Sequence, residues 1–271
     1  MSSVLALVRA RNLLLAAAGV AIGGILASGV IGIGTAVGWA MLSAMLLGAA
    51  GNAANDLFDR EADRINRPER PLVSGRLSVT AAFVIAGACG GGGLWLAYWI
   101  GAPQFYVALA ALLVMLLYSP LIKPIGLPGN LAVAVIASLP PVYGALAAHN
   151  ARAGYVPFVM GALLHFAREI VKDLEDVPGD LALGRRTLPV RLGRDTAFLL
   201  AAGALVLFVP ASLAPWFGGW YGLRYGIAVL VLDALIAVLI ARLLARQEGG
   251  ARAALKVAMI WGLLALLWDR L

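Results

Sequence analysis

A long apolar run that ends abruptly in a block of charge decides the fold of this chain. From Thr35 to Asp63 it reads TAVGWAMLSAMLLGAAGNAANDLFDREAD. The first 20 of these residues include no charged side chain, and about 20 apolar residues are what an α-helix needs to cross a hydrocarbon layer of roughly 30 Å. The next nine residues contain four carboxylates. The stretch therefore predicts a membrane-spanning helix that ends in a polar site at the membrane surface.

The composition of the whole chain also indicates a membrane protein. Of its 271 residues, 62% are hydrophobic and 13% are charged, whereas a soluble domain is about 45–50% apolar and roughly 25% charged. A chain of this size cannot hide such an excess inside a water-facing globule. A soluble enzyme, a disordered chain and a fibrous repeat are thereby excluded. The lone Cys89 excludes an internal disulfide and a cysteine-rich metal site.

Hydropathy along the chain predicts an all-α membrane protein, a single domain over residues 1–271 with nine transmembrane helices. The longest polar stretches are only about 56–78 and 173–194, so no water-soluble domain is expected. The predicted spans are 12–31, 35–54, 79–100, 104–120, 127–148, 155–172, 195–214, 222–243 and 253–269.

The basic residues indicate how these spans are oriented. With nine spans, Arg152, Arg224 and Arg270 fall on one side, and the other 18 of the 21 Lys and Arg residues fall on the side of the N-terminus. Cytoplasmic loops of membrane proteins collect positive charge, so the N-terminal side is predicted to be cytoplasmic. We interpret the net charge of +7 as this topology signal rather than as a nucleic-acid footprint, and Arg246 and Arg252 as topology charges only.

A second polar block follows the sixth predicted span and matches the first. In each block three aspartates occur at spacings of three and then four residues, which places them on one face of a helix. Pro178 and Gly179 predict that the second helix ends just before the last aspartate. Because both blocks lie at cytoplasmic ends of spans, the two triplets are expected to face one another. They are Asp56, Asp59 and Asp63, and Asp173, Asp176 and Asp180.

Clustered aspartates at a membrane boundary repel one another and need compensation. A hard divalent cation supplies it, and Mg²⁺ commonly binds through carboxylates together with substrate phosphates. Interleaved basic side chains are suited to hold the remaining phosphate charge. The pattern favours ionisation of a diphosphate whose leaving-group charge is carried by metal and cations, over aspartates that are merely solvated loop charges. The basic residues are Arg67, Lys123, Arg168, Lys172 and Arg185.

At these residues the sequence resembles the UbiA superfamily of intramembrane prenyltransferases. Asn55, Asp56, Asp59 and Asp63 match its motif Asn-Asp-x-x-Asp-x-x-x-Asp, and the second triplet matches its Asp-x-x-x-Asp motif. The resemblance implies a fold of nine helices around a central cavity open sideways to the bilayer. It also implies Mg²⁺-dependent transfer of a prenyl group from a prenyl diphosphate donor to a lipid-soluble acceptor among the membrane lipids.

Two further stretches, from Tyr118 to Asn130 and from Arg168 to Pro189, resemble the branch that forms the second ether bond of archaeal lipids. This branch implies geranylgeranyl diphosphate as donor and the hydroxyl of geranylgeranylglyceryl phosphate as acceptor. The residues implied for catalysis are Asp56, Asp59, Asp176 and Asp180. Those implied for the metal are all six aspartates and Asn55. Those implied for substrate binding are Asn12, Asn52, Arg67, Tyr118, Lys123, Arg168, Lys172 and Arg185.

Other functions stay open at this point. Prenylation of an aromatic quinone precursor is one, although Arg9 to Asn12 lacks the Arg-x-Asp-x-Pro pattern of the hydroxybenzoate-type members. Haem O and chlorophyll-type prenylation belong to the same class. A CDP-alcohol phosphotransferase is disfavoured because its string of Asp-Gly, Ala-Arg and further aspartates is absent. A cation-coupled transporter would place its site near the midplane, where only Asp233 is predicted.

Overall fold

The structure, a computed structural model, describes residues 3–182 and 184–271, and within these ranges it contains helices and no strand. Short turns of π- and 3₁₀-helix at Tyr118–Ile122, Lys123–Ile125 and Ala151–Gly154 lead into two of the long helices. The α-helices are α1 (Ser3–Leu7), α2 (Ala10–Ser28), α3 (Thr35–Phe58), α4 (Arg60–Asn66), α5 (Val79–Ile100), α6 (Ala102–Leu117), α7 (Leu127–Ala147), α8 (Tyr155–Ala182), α9 (Leu188–Leu192), α10 (Arg194–Phe217), α11 (Leu223–Leu244) and α12 (Ala251–Trp268).

The prediction of an all-α membrane protein is confirmed. In the described part of the chain, eight helices are long and apolar enough to cross a membrane: α2, α3, α5, α6 with its continuation to Ile125, α7, α10, α11 and α12. Each corresponds to one predicted span. The remaining predicted span, 155–172, forms the first part of α8, a helix of 28 residues whose last part is the second polar block.

Six of the long helices form a closed ring. Each of α2, α3, α6, α7, α8 and α12 packs against the next, and α12 returns to α2. Together they line a cavity of about 680 Å³. The other long helices pack outside this ring, α5 against α3, and α10 and α11 against α8 and α12. The cavity is therefore central, as expected.

Helices α2 and α7 cross closely at the end of the cavity away from the aspartates. A Cβ at Gly23 would lie 1.9 Å from the carbonyl oxygen of Pro141, and one at Gly144 would lie 1.8 Å from that of Val20. Glycine allows the two backbones to touch, as small residues do in helix pairs within membranes. Gly19, Pro140 and Pro141 line the cavity beside this crossing.

The expectation that Asp180 lies beyond a helix end is wrong. Helix α8 continues through Pro178 to Ala182, and Asp180 is 1% exposed. Proline has no N–H to donate to the carbonyl four residues earlier, which normally weakens or breaks a helix. Here that carbonyl, of Leu174, accepts a hydrogen bond of 3.0 Å from Nη1 of Arg194. The freed acceptor is thus satisfied, and the third aspartate stays on the helix.

Candidate active site

The two polar blocks meet at one end of the bundle, which we call the aspartate end. Arg185 reaches both: its Nη2 lies 2.8 Å from Oδ1 of Asp59, and its Nη1 lies 3.9 Å from Oδ1 of Asp180. Arg67, at the end of α4, donates to both carboxylate oxygens of Asp176 at 2.6 and 2.8 Å. Residues separated by more than 100 positions thus form one charged cluster.

Asn66 and Gly179 hold α4 against α8 beside this cluster. The amide N–H of Gly179 donates to Oδ1 of Asn66 at 3.1 Å, and Nδ2 of Asn66 donates to the carbonyl of Asp176 at 3.4 Å. A Cβ at Gly179 would lie 2.3 Å from Nδ2 of Asn66. Glycine is needed here because the asparagine side chain occupies the place of any larger residue.

In the first triplet, the partners of Asp56 and Asp63 are arginines that sequence reasoning missed. Arg9 donates to Asp56 at 2.6 Å and to Oδ1 of Asn52 at 3.0 Å, and Arg70 donates to Asp56 at 2.9 Å and also bonds Asp63. Burial raises the pKa of the Asp63 carboxyl, and the nearby Asp59 and Asp56 add to this against the opposing Arg70. The position of Arg9 just before α2 gave no local signal of this role.

Asp59 lies at the junction of α3 and α4 among three cations. Its Oδ2 accepts from Nζ of Lys123 at 3.4 Å and from Oγ of Ser119 at 3.3 Å. The same serine hydroxyl lies 3.2 Å from Oδ1 of Asn55. Burial opposes ionisation of Asp59, but Lys123, Arg185 and Lys172 outweigh it and hold its pKa below the ordinary value.

The second triplet is held by neutral donors as well as by Arg67. Nδ2 of Asn130 donates to Asp173 at 2.7 Å, and the Thr187 hydroxyl donates to Asp180 at 3.0 Å. Asn130 lies within the stretch that resembles the lipid-ether branch, but its contact with Asp173 is not evident from the sequence. One helical turn before Asp173, Glu169 accepts from the Tyr118 hydroxyl at 3.1 Å and pairs with Lys172.

The donor atoms at the aspartate end suit a hard divalent cation. In residues 3–182 and 184–271, no three His, Cys, Asp or Glu side chains are gathered around one point where a metal ion would sit. Several buried oxygens nevertheless lack a hydrogen bond: Oδ1 of Asp59, Asp173, Asp180 and Asn130. Oδ1 of Asp59 has only its ion pair with Arg185. Unbonded, buried carboxylate and amide oxygens are the ligands that Mg²⁺ takes, so these residues fit the metal.

The cavity begins beside this cluster and continues into apolar surroundings. Its polar wall includes seven of the predicted site residues, whereas the six aspartates, Lys123 and Arg185 do not line it. Its apolar wall is formed by residues such as Leu47, Val114, Ile136, Leu164 and Leu263. The predicted site residues in its wall are Asn12, Asn52, Asn55, Arg67, Tyr118, Arg168 and Lys172. The arrangement can hold a charged head group beside the aspartate end and a hydrocarbon chain along the apolar wall of the cavity.

Arg252 departs from its predicted role, whereas Asp233 lies within its predicted span. Arg252, interpreted as a topology charge, lines the cavity together with Lys256, which the sequence did not single out. Asp233 lies outside the cavity wall, on α11, where the hydroxyl of Ser212 on α10 lies 3.0 Å from both of its carboxylate oxygens. An acidic group within a membrane span usually needs such a partner, and this one has no contact with the site.

Comparison with known proteins agrees with this geometry. The chain matches the UbiA prenyltransferase family over residues 13–264. It is 35% identical over 269 residues to the digeranylgeranylglyceryl phosphate synthase of Methanopyrus kandleri, with 98% of each chain covered. It is 40% identical over 167 residues to the enzyme of the same name from Thermococcus kodakarensis, and this alignment covers 62% of the chain. In this second alignment the chain spans only 60% of the length of the Thermococcus kodakarensis enzyme.

Solved structures share the whole helical arrangement. A structure of digeranylgeranylglyceryl phosphate synthase superposes with a TM-score of 0.80 at 30% identity, covering 99% of this chain and 97% of that one. A UbiA homolog from Archaeoglobus fulgidus, bound to GPP and Mg²⁺, superposes with a TM-score of 0.77 at 20% identity, covering 99% and 98%. This multi-pass membrane protein therefore belongs to the UbiA prenyltransferase family.

Proposed function

We propose that the protein transfers a geranylgeranyl group from geranylgeranyl diphosphate to the hydroxyl of geranylgeranylglyceryl phosphate. The observation that carries this proposal is the continuity between a buried cluster of aspartates and basic residues and an apolar cavity of about 680 Å³. That volume lies within the range of about 300–1,000 Å³ usual for sites that bind small molecules. A prenyl diphosphate has the same two parts, a highly charged head and a long hydrocarbon tail.

Mg²⁺ is the proposed cofactor, held by the two aspartate triplets and Asn55, with Asn130 as a further oxygen donor. The support is the set of unbonded buried oxygens on Asp59, Asp173, Asp180 and Asn130, together with the Mg²⁺ and GPP in the homolog from Archaeoglobus fulgidus. When bound, the metal would stabilise the negative charge that develops on the departing diphosphate.

The side chains of the chain itself supply the remaining parts of the reaction. Arg67 and Lys172 line the cavity beside the aspartates and are placed to bind diphosphate oxygens by charge-assisted hydrogen bonds. Lys123 and Arg185 both pair with Asp59 and add positive charge to the aspartate end outside the cavity wall. The apolar wall keeps water from the allylic carbon, which would otherwise react with it before the acceptor hydroxyl attacks.

The acceptor proposal rests on the relatives and on charge. Both curated relatives described above carry the name digeranylgeranylglyceryl phosphate synthase, and such an acceptor brings a phosphate of its own. We place the aspartate end on the cytoplasmic side because 18 of the 21 basic residues share that side in a nine-span topology. We also propose that the chain acts as a single domain.

A competition experiment tests the proposed function. Purified protein in lipid nanodiscs receives a limiting pool of labelled geranylgeranyl diphosphate, Mg²⁺ and three acceptors together. These are geranylgeranylglyceryl phosphate, the same lipid without its phosphate, and 4-hydroxybenzoate, and the products are separated by chromatography. We expect most of the label in the phosphorylated lipid ether. Label mainly in 4-hydroxybenzoate would replace the lipid-ether function by an aromatic one, and no transfer to any acceptor would reject prenyl transfer.

A further inference from the structure

A second group of basic residues lines the cavity on α8 and α12. It consists of Arg168 on α8 and Arg252 and Lys256 on α12, and we call it the α8–α12 basic cluster. The three side chains are partly buried rather than fully exposed. Their charges act on one another. The charge of Arg252 acts on Arg168, and the charges of Arg168 and Arg11 act on Lys256.

The positive charge of this cluster is poorly compensated within the described residues. Arg252 pairs with Glu175, whereas Lys256 donates only to the neutral Oδ1 of Asn12, at 3.0 Å. Arg168 makes no hydrogen bond or ion pair with the described residues, although the charge of the adjacent Glu169 acts on it. Glu169 itself is bonded to Tyr118 and Lys172.

At the aspartate end, the positive and negative charges are more nearly balanced. There, six cations stand beside six aspartates and Glu169, so a metal ion and a diphosphate can enter without a large excess of either charge. The six cations are Arg9, Arg67, Arg70, Lys123, Lys172 and Arg185. At the α8–α12 basic cluster, four cations including Arg11 have two carboxylates near them, Glu175 and Glu169, and Glu169 is already paired with Lys172. Bringing like charges together is unfavourable unless an anion binds between them, so this cluster is suited to an anion of its own.

The helices that carry the cluster also show which kind of anion fits. On α12, Arg252 and Lys256 at the start are followed along the cavity wall by Met259, Ile260 and Leu263. A ligand with a phosphate at the cluster would therefore lay an apolar chain along α12. This combination of one anionic head and a long apolar tail matches a lipid phosphate.

We propose that Arg168, Arg252 and Lys256 form a binding site for the phosphate monoester of the lipid acceptor, separate from the diphosphate site. This inference rests on the proposed function. The guanidinium of Arg168 offers paired N–H donors to two phosphate oxygens, and the ammonium of Lys256 offers a point charge. Fixing the phosphate here while the tail occupies the shared cavity orients the acceptor hydroxyl toward the allylic carbon.

The test compares Arg168→Gln and Lys256→Gln with the wild type and with Arg246→Gln. Arg246 is a matched control because it is an exposed cation that pairs with Asp195 and does not line the cavity. The first readout is equilibrium binding of labelled geranylgeranylglyceryl phosphate in nanodiscs of neutral phosphatidylcholine, without donor. The second is KM for this acceptor and for geranylgeranyl diphosphate. Lys256→Arg retains the charge and controls for loss of folding.

We expect both glutamine variants to weaken acceptor binding by about ten- to a hundredfold, with KM for the donor unchanged and with near-normal binding by Lys256→Arg. They should also lose the preference for the phosphorylated acceptor over its phosphate-free form. Added phosphatidic acid is expected not to displace the acceptor; displacement would assign the cluster to bulk lipid headgroups and overturn the proposal.

Two outcomes separate this site from the proposed function. If the wild type prenylates the acceptor but the glutamine variants bind it normally, or change only KM for the donor, the phosphate site is overturned and the proposed function stands. If the wild type itself fails to prenylate geranylgeranylglyceryl phosphate, the proposed function falls and this inference falls with it.

Discussion

Arg185 and Asp59 form an ion pair, 2.8 Å from Nη2 to Oδ1, that joins the polar block after α3 to the segment that follows α8. The same guanidinium lies 3.9 Å from Asp180. One residue therefore contacts an aspartate of each triplet. Because several aspartates already have a cation beside them, we expect a metal ion and a diphosphate to bind by exchange of partners rather than by entry into an unbalanced acidic site.

Removal of divalent metal should abolish prenyl transfer. The buried oxygens without hydrogen bonds on Asp59, Asp173 and Asp180 suit a hard cation that carries the charge of the leaving diphosphate. The measurement is product formation after exhaustive treatment with EDTA, followed by titration with Mg²⁺, with thermal unfolding recorded in parallel to show that the fold persists. Full activity in the chelated protein would contradict the assigned role of the aspartates.

Loss of single aspartates should impair turnover without preventing membrane insertion. Asp56→Ala, Asp59→Ala, Asp176→Ala and Asp180→Ala are each expected to lower kcat by about two orders of magnitude or more, because each removes negative charge from the proposed metal site. Initial rates of purified variants at saturating Mg²⁺ measure this effect. Asp195→Ala is the control, since that carboxylate is exposed and pairs with Arg246. Near-normal rates in two of the four variants would contradict a role of these aspartates in catalysis.

The crossing of α2 and α7 should not tolerate a methyl group. In Gly144→Ala the new Cβ would lie 1.8 Å from the carbonyl oxygen of Val20, so the two backbones must separate. Overpacking of this kind typically costs about 1–3 kcal/mol, and thermal unfolding in detergent should show a lower Tm. Gly203→Ala, also in a helix but with no atom within 4 Å of the new Cβ, should leave Tm unchanged or raise it slightly. Equal Tm values for the two variants would contradict the close crossing.

The stability of the metal-free protein should depend on the ion pairs of Asp59. Its cations hold the pKa of this carboxyl in the folded state below its ordinary 3.8. A pKa that is lowered in the folded state stabilises the fold, and this stabilisation is fully present at pH values above the pKa of the unfolded chain. It is lost as pH falls through the pKa of the folded state. Arg185→Gln removes one cation and shifts the folded pKa upward, toward that of the unfolded chain. The variant should therefore be less stable than the wild type at neutral pH, and it should lose less stability as pH falls.

Thermal unfolding of chelator-treated protein between about pH 3 and pH 7 measures this shift. Arg246→Gln serves as the control because its ion pair with Asp195 is exposed and lies outside the aspartate end. The same acid profile for Arg185→Gln and the wild type would show that Arg185 does not act on Asp59.

Local sequence was sufficient for the helices and for the aspartate positions. Membrane-spanning helices satisfy their own backbone hydrogen bonds, so an apolar run of the right length forms a helix whatever surrounds it. This is why eight predicted spans correspond to eight helices. Spacings of three and four residues likewise define a helical face without knowledge of the neighbours.

The partners of the aspartates depended on the tertiary structure. Arg9 lies 47 residues from Asp56, Asn130 lies 43 from Asp173, and Arg67 lies 109 from Asp176. No local pattern encodes such pairs, since they follow from which helix ends the packing brings together. The continuation of α8 past Pro178 has the same origin: the carbonyl freed at Leu174 is satisfied by Arg194, which lies 20 residues further along the chain. The sequence alone determined a set of membrane helices that bear acidic motifs, and packing between distant helices decided which cations face these motifs and which are left for a second anion.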